Sequence, residues 1–293
     1  MARRRKRVNP KRTQRILMAF ILAVMVFIFI TTYDPGDLVL GPVDGDIWVH
    51  FIDVGQGDSV LVHSAEHAVL IDAGPVAATQ NVVRHIENLG ISVLDYVVAT
   101  HPHSDHIGGL IGVLDRFEVR ELWMPDVLHD TATFENFLDA VERNNISIST
   151  VQAGDLMSAG VIQMTAVAPV RSGYPNLNDY SIVLRMVYGI TSFLFTGDAE
   201  AASENDMVAS GRNLQANVLQ AGHHGSRTSS TEAFLDAVAP AAVVIQVGAG
   251  NQFNHPHPEV LERFAQRGIE VLRTDEWGTI TLATDGEDIH IYD

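Results

Sequence analysis

A six-residue stretch, His101-Pro-His103-Ser-Asp105-His106, constrains this chain more than any other feature of its sequence. It holds three imidazoles and one carboxylate, and it directly follows residues 96–100, an apolar run that predicts a buried strand. Imidazole and carboxylate groups suit zinc and related first-row ions, and side chains that spread from one turn can reach two adjacent ions. The stretch therefore predicts a metal site at the end of a strand, with a solvated polar loop as the alternative.

Two further segments follow the same logic, in which an apolar strand delivers a carboxylate at its end. Residues 192–197 lead into Asp198, which is suited to bridge two ions and equally suited to cap a following helix. Residues 69–71 lead into Asp72, which is expected to accept a hydrogen bond from a ligating histidine and fix its tautomer. The alternative for Asp72 is a turn residue beside Gly74.

Two adjacent histidines, His223 and His224, follow another apolar strand and lie between glycines that allow close backbone approach. Adjacent side chains on an extended backbone point in opposite directions, so only one of the two is expected to bind metal. His223 is the predicted ligand. His224 is retained as the second choice, or as a catalytic acid–base group.

Other polar residues admit a functional and a structural interpretation. His255 precedes a helix in a His-Pro-His-Pro segment and is predicted to contact substrate, with a loop or capping role as the alternative. Asp53 and Asp58 flank a Gly-Gln-Gly turn, where backbone capping explains them at least as well as chemistry does. The remaining single histidines are interpreted as structural or exposed: His50, His63, His67, His85, His129 and His290.

The charge of the chain is divided unevenly along its length. Residues 1–15 carry eight Arg or Lys and no acid, which leaves 11 basic against 36 acidic residues in the rest, a balance of −25. Such an acidic surface suits a high-salt environment, where screening weakens self-repulsion, although a biased genome composition also favours Arg over Lys. The chain has no cysteine, so disulfides and thiolate ligands are excluded and any metal is held by nitrogen and oxygen.

The N-terminal region predicts a membrane segment. Residues 16–30 carry no polar side chain, and a helix over residues 16–33 would measure about 27 Å, close to the roughly 30 Å hydrocarbon core. The basic flank places residues 1–15 in the cytoplasm and the remainder outside, as a single-pass protein of the cell membrane. A cleaved signal peptide, which would give a secreted protein, and a buried core helix are the alternatives.

After a linker at residues 34–45, strands and helices alternate at short spacing, with no internal repeat. Antiparallel-looking strands mixed with helices in both halves predict an α/β fold in which two sheets pack face to face with helices outside, a four-layer αββα sandwich. The segments predict one catalytic domain over residues 46–293. Among its helices, one is expected at residues 107–117, directly behind the histidine stretch.

These motifs, in this order, resemble those of the metallo-β-lactamase superfamily. Residues 51–59, 100–109, 178–184 and 222–226 are similar to the C-terminal hydrolase domain of ComEC-type competence proteins. The resemblance covers residues 46–293 and implies a dinuclear site for divalent ions, zinc or manganese. It implies a first site of His101, His103 and Asp198, and a second site of Asp105, His106, Asp198 and His223.

One feature departs from the wider superfamily. Most members supply a third histidine to the first metal, whereas no histidine lies between His129 and His223 in this chain. Asn178 or Asp179 stands where that ligand is expected and is a candidate for a weaker oxygen ligand. The resemblance therefore implies a looser first site, with coordination left open for substrate.

A dinuclear site activates a shared water, which predicts hydrolysis by a metal-bridging hydroxide. Asp105 is expected to orient the nucleophile, and His224 or His255 to donate a hydrogen bond or proton to the leaving oxygen. The resemblance favours a phosphodiesterase or nuclease outside the cell, with DNA as a possible substrate, although the negative charge opposes binding of long nucleic acids. The alternatives are a lactone, β-lactam or other acyl hydrolase and a non-catalytic surface interaction protein; the sequence indicates no obligate protein partner.

Overall fold

The computed structural model describes residues 39–40 and 47–292, whose strands form two sheets of nine and seven strands. The first sheet has the order β1-β16-β15-β2-β3-β4-β5-β6-β7 and comprises β1 (Val39–Leu40), β2 (Ile47–Phe51), β3 (Val60–His63), β4 (Ala68–Ile71), β5 (Val93–Val98), β6 (Glu118–Met124), β7 (Ile148–Thr150), β15 (Ile280–Thr284) and β16 (Ile289–Tyr292). The second sheet has the order β14-β13-β12-β11-β10-β9-β8 and comprises β8 (Leu156–Ala159), β9 (Ile162–Ala168), β10 (Val183–Tyr188), β11 (Thr191–Phe195), β12 (Val218–Gln220), β13 (Ala242–Ile245) and β14 (Glu270–Arg273).

The helices connect strands within each half of the fold. They are α1 (Thr79–Asn88), α2 (Ser104–Ile107), α3 (Leu110–Arg116), α4 (Ala132–Arg143), α5 (Ala201–Ala209), α6 (Glu232–Val238), α7 (Pro258–Gln266) and α8 (Thr274–Trp277). Short 3-10 turns lie at Val76–Ala78, Leu177–Tyr180 and Gly222–Gly225.

Three apolar clusters separate the layers. Alternate side chains of one strand enter different clusters: Val60 and Val62 of β3 face the second sheet, whereas Leu61 faces the helices. The outer face of the first sheet is covered by α1, α3 and α4, and that of the second sheet by α5, α6 and α7. The predicted α/β class and the two packed sheets flanked by helices are confirmed.

The directions of the strands determine where the polar ends of the motifs lie. Strands β4, β5 and β6 run parallel in the first sheet, and β11, β12 and β13 run parallel in the second. Within each parallel set, the carboxyl ends lie at one edge of the sheet, the edge where open α/β sheets bind ligands. A backbone hydrogen bond from Ile182 N to Thr100 O, 2.9 Å long, joins the two halves at this edge.

The helix predicted at residues 107–117 is two helices, and the first begins inside the histidine stretch, at Ser104. Gly108 and Gly109, which separate them, have helical φ and ψ and pack directly on the backbone of residues 73–76. A Cβ atom on Gly109 would lie 2.0 Å from Ala73 O, too close for any side chain. Asp105 and His106 therefore project from a helical turn and not from an irregular loop.

The basic tail at residues 1–15 and the predicted membrane segment at residues 16–33 lie outside the described residues. So does the predicted linker at residues 34–45, except for β1, which pairs in parallel with β16. Among the residues that the structure describes, no helix combines the length and the apolar character needed to cross a membrane. The anchor stays a prediction.

Candidate metal centre

Asp198 lies at the centre of the polar residues that the strand ends bring together. It follows β11 and is only 2% exposed. Its Oδ1 lies 3.3 Å from His106 Nε2 and 3.6 Å from His224 Nε2. Its Oδ2 lies 3.6 Å from His101 Nε2 and 3.7 Å from His223 Nε2. Each oxygen of one carboxylate thus faces its own pair of imidazoles.

Four groups of side chains in the described part of the chain have the geometry needed to hold a cation; two of them include Asp198 and two include Asp58. The ligand atoms of His101, His106 and Asp198 lie within 4.8 Å of one another, as do those of Asp105, His106 and His224. Within the described part of the chain, no hydrogen bond satisfies three of these buried atoms, His106 Nε2, His224 Nε2 and Asp198 Oδ1. Buried lone pairs without donors fit a bound cation, and this donor set suits divalent ions.

His103 lies at the opening of the centre. Its Nδ1 is 3.0 Å from His101 Nε2, and its partly exposed ring is 4.7 Å, centroid to centroid, from the ring of His101. A nitrogen of His103 therefore lies beside the nitrogen of His101 that faces Asp198. The ring of His129, which the sequence suggested was structural or exposed, lies 5.6 Å from that of His103.

The backbone at the paired histidines is not extended, so the expected opposite orientation of their side chains is wrong. His223 has φ 51° and ψ 47°, and His224 has φ 55° and ψ 28°, both in the left-handed region. Two successive left-handed residues turn both rings toward Asp198. His224, expected as the second choice, is the buried ring that joins Asp105 and His106, whereas His223 is 25% exposed and belongs to none of the groups that could hold an ion among the described residues.

A carboxylate lies behind each of three imidazoles. Asp72 Oδ2 is 2.8 Å from His106 Nδ1, and Thr100 donates to both oxygens of Asp72. Asp58 Oδ1 is 3.1 Å from His224 Nδ1, and Glu200 Oε1 is 3.0 Å from His223 Nδ1. Such contacts fix the tautomer and direction of a ligating ring.

Sequence reasoning did not find the roles of Asp58 and Glu200. Asp58, for which capping of the turn and chemistry were both open, is buried, and its Oδ2 accepts a 2.9 Å hydrogen bond from Gln220 Nε2 of the second sheet. Glu200 lies two residues after Asp198 on a strand-end segment, and this position in the sequence could have indicated a role at the site.

The two residues considered as replacement ligands serve the structure of the second half. Asn178 Nδ2 donates to Glu200 Oε1 at 2.9 Å and lies 3.4 Å from His223 Nδ1. Asp179 Oδ1 accepts from the backbone N–H groups of Glu200 and Ser203, at 3.3 and 3.0 Å, around the start of α5. Asn178 Oδ1 is buried and has no hydrogen-bond partner among the described residues, and a weaker oxygen ligand at Asn178 or Asp179 stays a prediction.

Burial and opposite charge shift the pKa values at the centre. Burial opposes ionisation of Asp198, yet the surrounding imidazoles, His106 first, hold its pKa well below the usual range. Burial also opposes protonation of His106 and His224, but Asp198 raises the pKa of both well above the usual range. For His101, burial prevails and lowers the pKa. A metal ion competes with protons for such groups. A bound ion would therefore replace the protons that lie between the ring nitrogens and the carboxylate.

Asp105 and His255 line the open side. Burial opposes ionisation of Asp105, but the hydrogen bond with His224 prevails and holds its pKa below the usual range. The His255 ring lies 5.4 Å from that of His223 and 6.3 Å from that of His224. Burial, helped by these imidazoles, lowers the pKa of His255 to about 4, so its ring is neutral near pH 7.

Residues 52–248 match the family described as the metallo-beta-lactamase superfamily. The chain belongs to this superfamily and is a hydrolase of it that is related to competence proteins. It is 32% identical to ComE operon protein 3 of Bacillus subtilis (strain 168), over 79% of this chain and 32% of that protein. It is also 32% identical to competence protein ComA of Neisseria gonorrhoeae, over 88% of this chain and 35% of that protein. The predicted resemblance is confirmed, and the chain spans about a third of the length of these relatives.

Solved structures share the fold at low sequence identity. The metallo-beta-lactamase fold protein YhfI from Bacillus subtilis aligns with a TM-score of 0.53 and 16% identity, over 78% of this chain and 96% of that one. CmlA, a diiron β-hydroxylase from Streptomyces venezuelae, aligns with a TM-score of 0.55 and 13% identity, over 83% of this chain and 55% of that one. These similarities establish the architecture and leave the chemistry to the site residues.

Proposed function

We propose that this protein is a metal-dependent phosphodiesterase that uses Zn²⁺ or Mn²⁺ at the centre around Asp198. The observation that carries the proposal is the position of Asp198, whose two oxygens face two different pairs of imidazoles. When bound, two divalent ions supply an activated water and positive charge for the oxygens of a phosphate. An anionic diester gains more from that charge than a neutral carbonyl does.

The side chains divide the remaining work. Asp198 stays ionised and fixes the spacing of the two imidazole pairs. Asp105, whose side chain is partly exposed and whose pKa is low, accepts a hydrogen bond from the attacking water and orients it. His224 is held from behind by Asp58, and His255 presents a neutral ring to the leaving oxygen as a hydrogen-bond partner.

The test compares hydrolysis of bis-p-nitrophenyl phosphate, single-stranded DNA and a chromogenic β-lactam, with zinc or manganese. Asp198→Asn is expected to abolish diester hydrolysis. Asp139→Asn makes the same change on the exposed face of α4 and is the matched control. Turnover of the β-lactam without cleavage of any phosphodiester would overturn the proposal and favour an acyl hydrolase.

We further infer that the domain acts outside the cell, anchored by residues 16–33. The basic residues before this segment and the acidic domain after it support that orientation. Protease added to intact cells is expected to digest the domain. Protection until lysis would contradict the orientation, and a mature chain that begins near residue 34 would show cleavage of the segment.

A further inference from the structure

The rim of the centre carries a row of rings that leads from the histidines around Asp198 to solvent. The Phe253 ring stacks on His255, with centroids 5.7 Å apart and an angle of 28° between the planes. His255 in turn lies 5.4 Å from His223. Phe253 is 49% exposed, although apolar rings of this size are usually buried. One face of the ring is thus supported while much of its surface stays open.

The loop that carries Phe253 is held in place by one side chain. Asn251 Oδ1 accepts from the backbone N–H groups of Phe253 and His255, at 3.1 and 3.0 Å. Asn251 Nδ2 donates to the carbonyl oxygens of Gly248 and His255, at 3.0 and 2.6 Å. These four hydrogen bonds preorganise the loop, which lowers the entropic cost of binding a ligand on the exposed ring.

A cation lies on the same side of the centre. Arg227 follows His224 by three residues; its Nη2 lies 3.0 Å from His257 Nε2, and its backbone N–H donates to His257 Nδ1 at 3.2 Å. The ring of His257 is 4.8 Å from that of His255. The Arg227 side chain is 62% exposed, and its nearest carboxylate contact, with Glu259, is 3.6 Å long. Residues 16–293 carry a net charge of −25. Arg227 therefore offers positive charge in a strongly acidic domain, at the rim where an anionic substrate would enter.

The rim also contains a buried ring nitrogen that can accept or donate a hydrogen bond. His255 Nδ1 is buried and has no hydrogen-bond partner in the part of the chain that the structure describes. The ring that carries this nitrogen contacts Phe253 and also lies next to His223. An aromatic face, a cation and an unpartnered ring nitrogen together match the parts of a nucleotide: base, phosphate and ester oxygen.

We propose that Phe253 and Arg227 form a subsite for the nucleotide next to the cleaved bond of a single-stranded nucleic acid. The base stacks on Phe253 and the neighbouring phosphate pairs with Arg227, as in other proteins that bind single strands without sequence preference. A duplex keeps its bases stacked on one another, so it cannot use the ring. This proposal rests on the proposed phosphodiesterase function and defines the substrate as single-stranded.

The test of the aromatic contact compares a short single-stranded oligonucleotide with the same strand made abasic next to the cleaved bond. Phe253→Ala is expected to raise the KM for the intact strand about tenfold more than the KM for the abasic strand, since one base stacked on one ring contributes about this much. Phe253→Trp is expected to restore the preference for the base. Ile190→Ala removes another exposed apolar side chain, 68% exposed in the β10–β11 turn, and should leave the KM ratio unchanged.

The test of the cation uses the salt dependence of binding. Arg227→Gln is expected to weaken binding of both strands. It should also reduce the slope of log affinity against log salt concentration by about 1, the effect of losing one phosphate contact. Arg143→Gln removes an exposed cation on α4 and is the matched control, expected to keep the slope. An unchanged slope for Arg227→Gln would show that Arg227 does not pair with a phosphate.

Binding without cleavage separates this proposal from the proposed function. In Phe253→Trp, the intact strand is expected to quench the fluorescence of the new ring and the abasic strand is not. Equal quenching by both strands, or equal KM ratios for the wild type and Phe253→Ala, would overturn the subsite while phosphodiester cleavage stands. Absence of cleavage by the wild type together with base-dependent quenching would overturn the hydrolytic function and leave the subsite.

Discussion

Asp58 shows how one buried carboxylate can support an imidazole of the centre from behind. It is 2% exposed, and its Oδ1 lies 3.1 Å from His224 Nδ1 while its Oδ2 lies 3.9 Å from His106 Nδ1. The hydrogen bond from Gln220 holds the carboxylate in place from the opposite sheet. With Nδ1 of each ring turned toward a carboxylate, Nε2 is the nitrogen left for a metal ion.

Asp58→Asn is expected to lower the affinity for the second metal ion about 10- to 100-fold, the usual effect of losing a partner behind a ligand. The amide keeps the volume but removes the negative charge beside His224 Nδ1, which also lies 3.0 Å from the backbone oxygen of Gln246. Isothermal titration with Zn²⁺ measures the effect. Asp53→Asn changes the partly exposed aspartate at the other side of the same turn and should keep wild-type affinity. Equal affinities for the two variants would rule out the orienting role.

Metal content tests the assignment of the central residues. Asp198→Ala is expected to remove or disorder both ions, because both pairs of imidazoles face its oxygens. His224→Ala is expected to remove one ion, since its Nε2 completes the group with Asp105 and His106. Elemental analysis of the dialysed protein gives the count. Full metal content in Asp198→Ala would show that this carboxylate does not bridge.

At the scale of secondary-structure elements, Glu204 connects α5 to the turn before α6. Its two oxygens accept from the backbone N–H groups of Ser230 and Thr231, at 2.6 and 2.8 Å. Burial is the main cause that raises the pKa of Glu204 from 4.5 to about 7. The contact is therefore sensitive to pH in a range where most surface carboxylates no longer titrate.

Because the folded-state pKa of Glu204 lies above its ordinary value, the folded state binds the proton more tightly. Its contribution then makes the protein less stable as pH rises from about 4.5 to about 7, by at most about 3 kcal/mol. Glu204→Gln is expected to remove this part of the pH dependence in urea unfolding. Glu262→Gln, on the exposed face of α7, is the control. A pH dependence that is the same in Glu204→Gln and in the wild type would contradict the assignment.

Sequence patterns predicted elements that carry apolar runs: the strands expected before Asp72 and Asp198 are β4 and β11. They missed β7 and β8, which are short and half exposed, so no apolar run marks them.

In the site, strand ends indicated where Asp72, His101 and Asp198 lie, because strand direction follows from the fold class. The left-handed backbone of His223 and His224 and the burial of Asp58 could not be predicted. Both depend on contacts between the two sheets, which no local pattern records.

At the scale of the whole molecule, the balance of −25 beyond residue 15 opposes the approach of a polyanion. Salt screens this repulsion before it weakens the contacts at the site. DNA cleavage is therefore expected to rise with salt and then fall, the reverse of a basic nuclease. Rates across a salt series, with Asp105→Ala as the blank and bis-p-nitrophenyl phosphate as the small substrate, measure this. A rate that falls from the lowest salt would contradict it.

Removal of metal is expected to lower thermal stability. Ligands that bind only the folded state stabilise it by about 2.7 kcal/mol when present at 100 times their Kd. EDTA should therefore lower the Tm of the wild type by several degrees, and added Zn²⁺ should restore it. Asp198→Ala should show little response to either. A wild-type Tm that does not change with EDTA would show that metal binding does not stabilise the folded state.

His106 comes from the first half of the chain and Asp198 from the second, and about 90 residues separate them. An ion held by both closes that long loop, as a disulfide does in proteins that have one. This chain has no cysteine, so the ions would be its cross-links between the two halves, and they can be exchanged without any redox chemistry. Scarcity of metal would then loosen the fold and inactivate the centre in a single step.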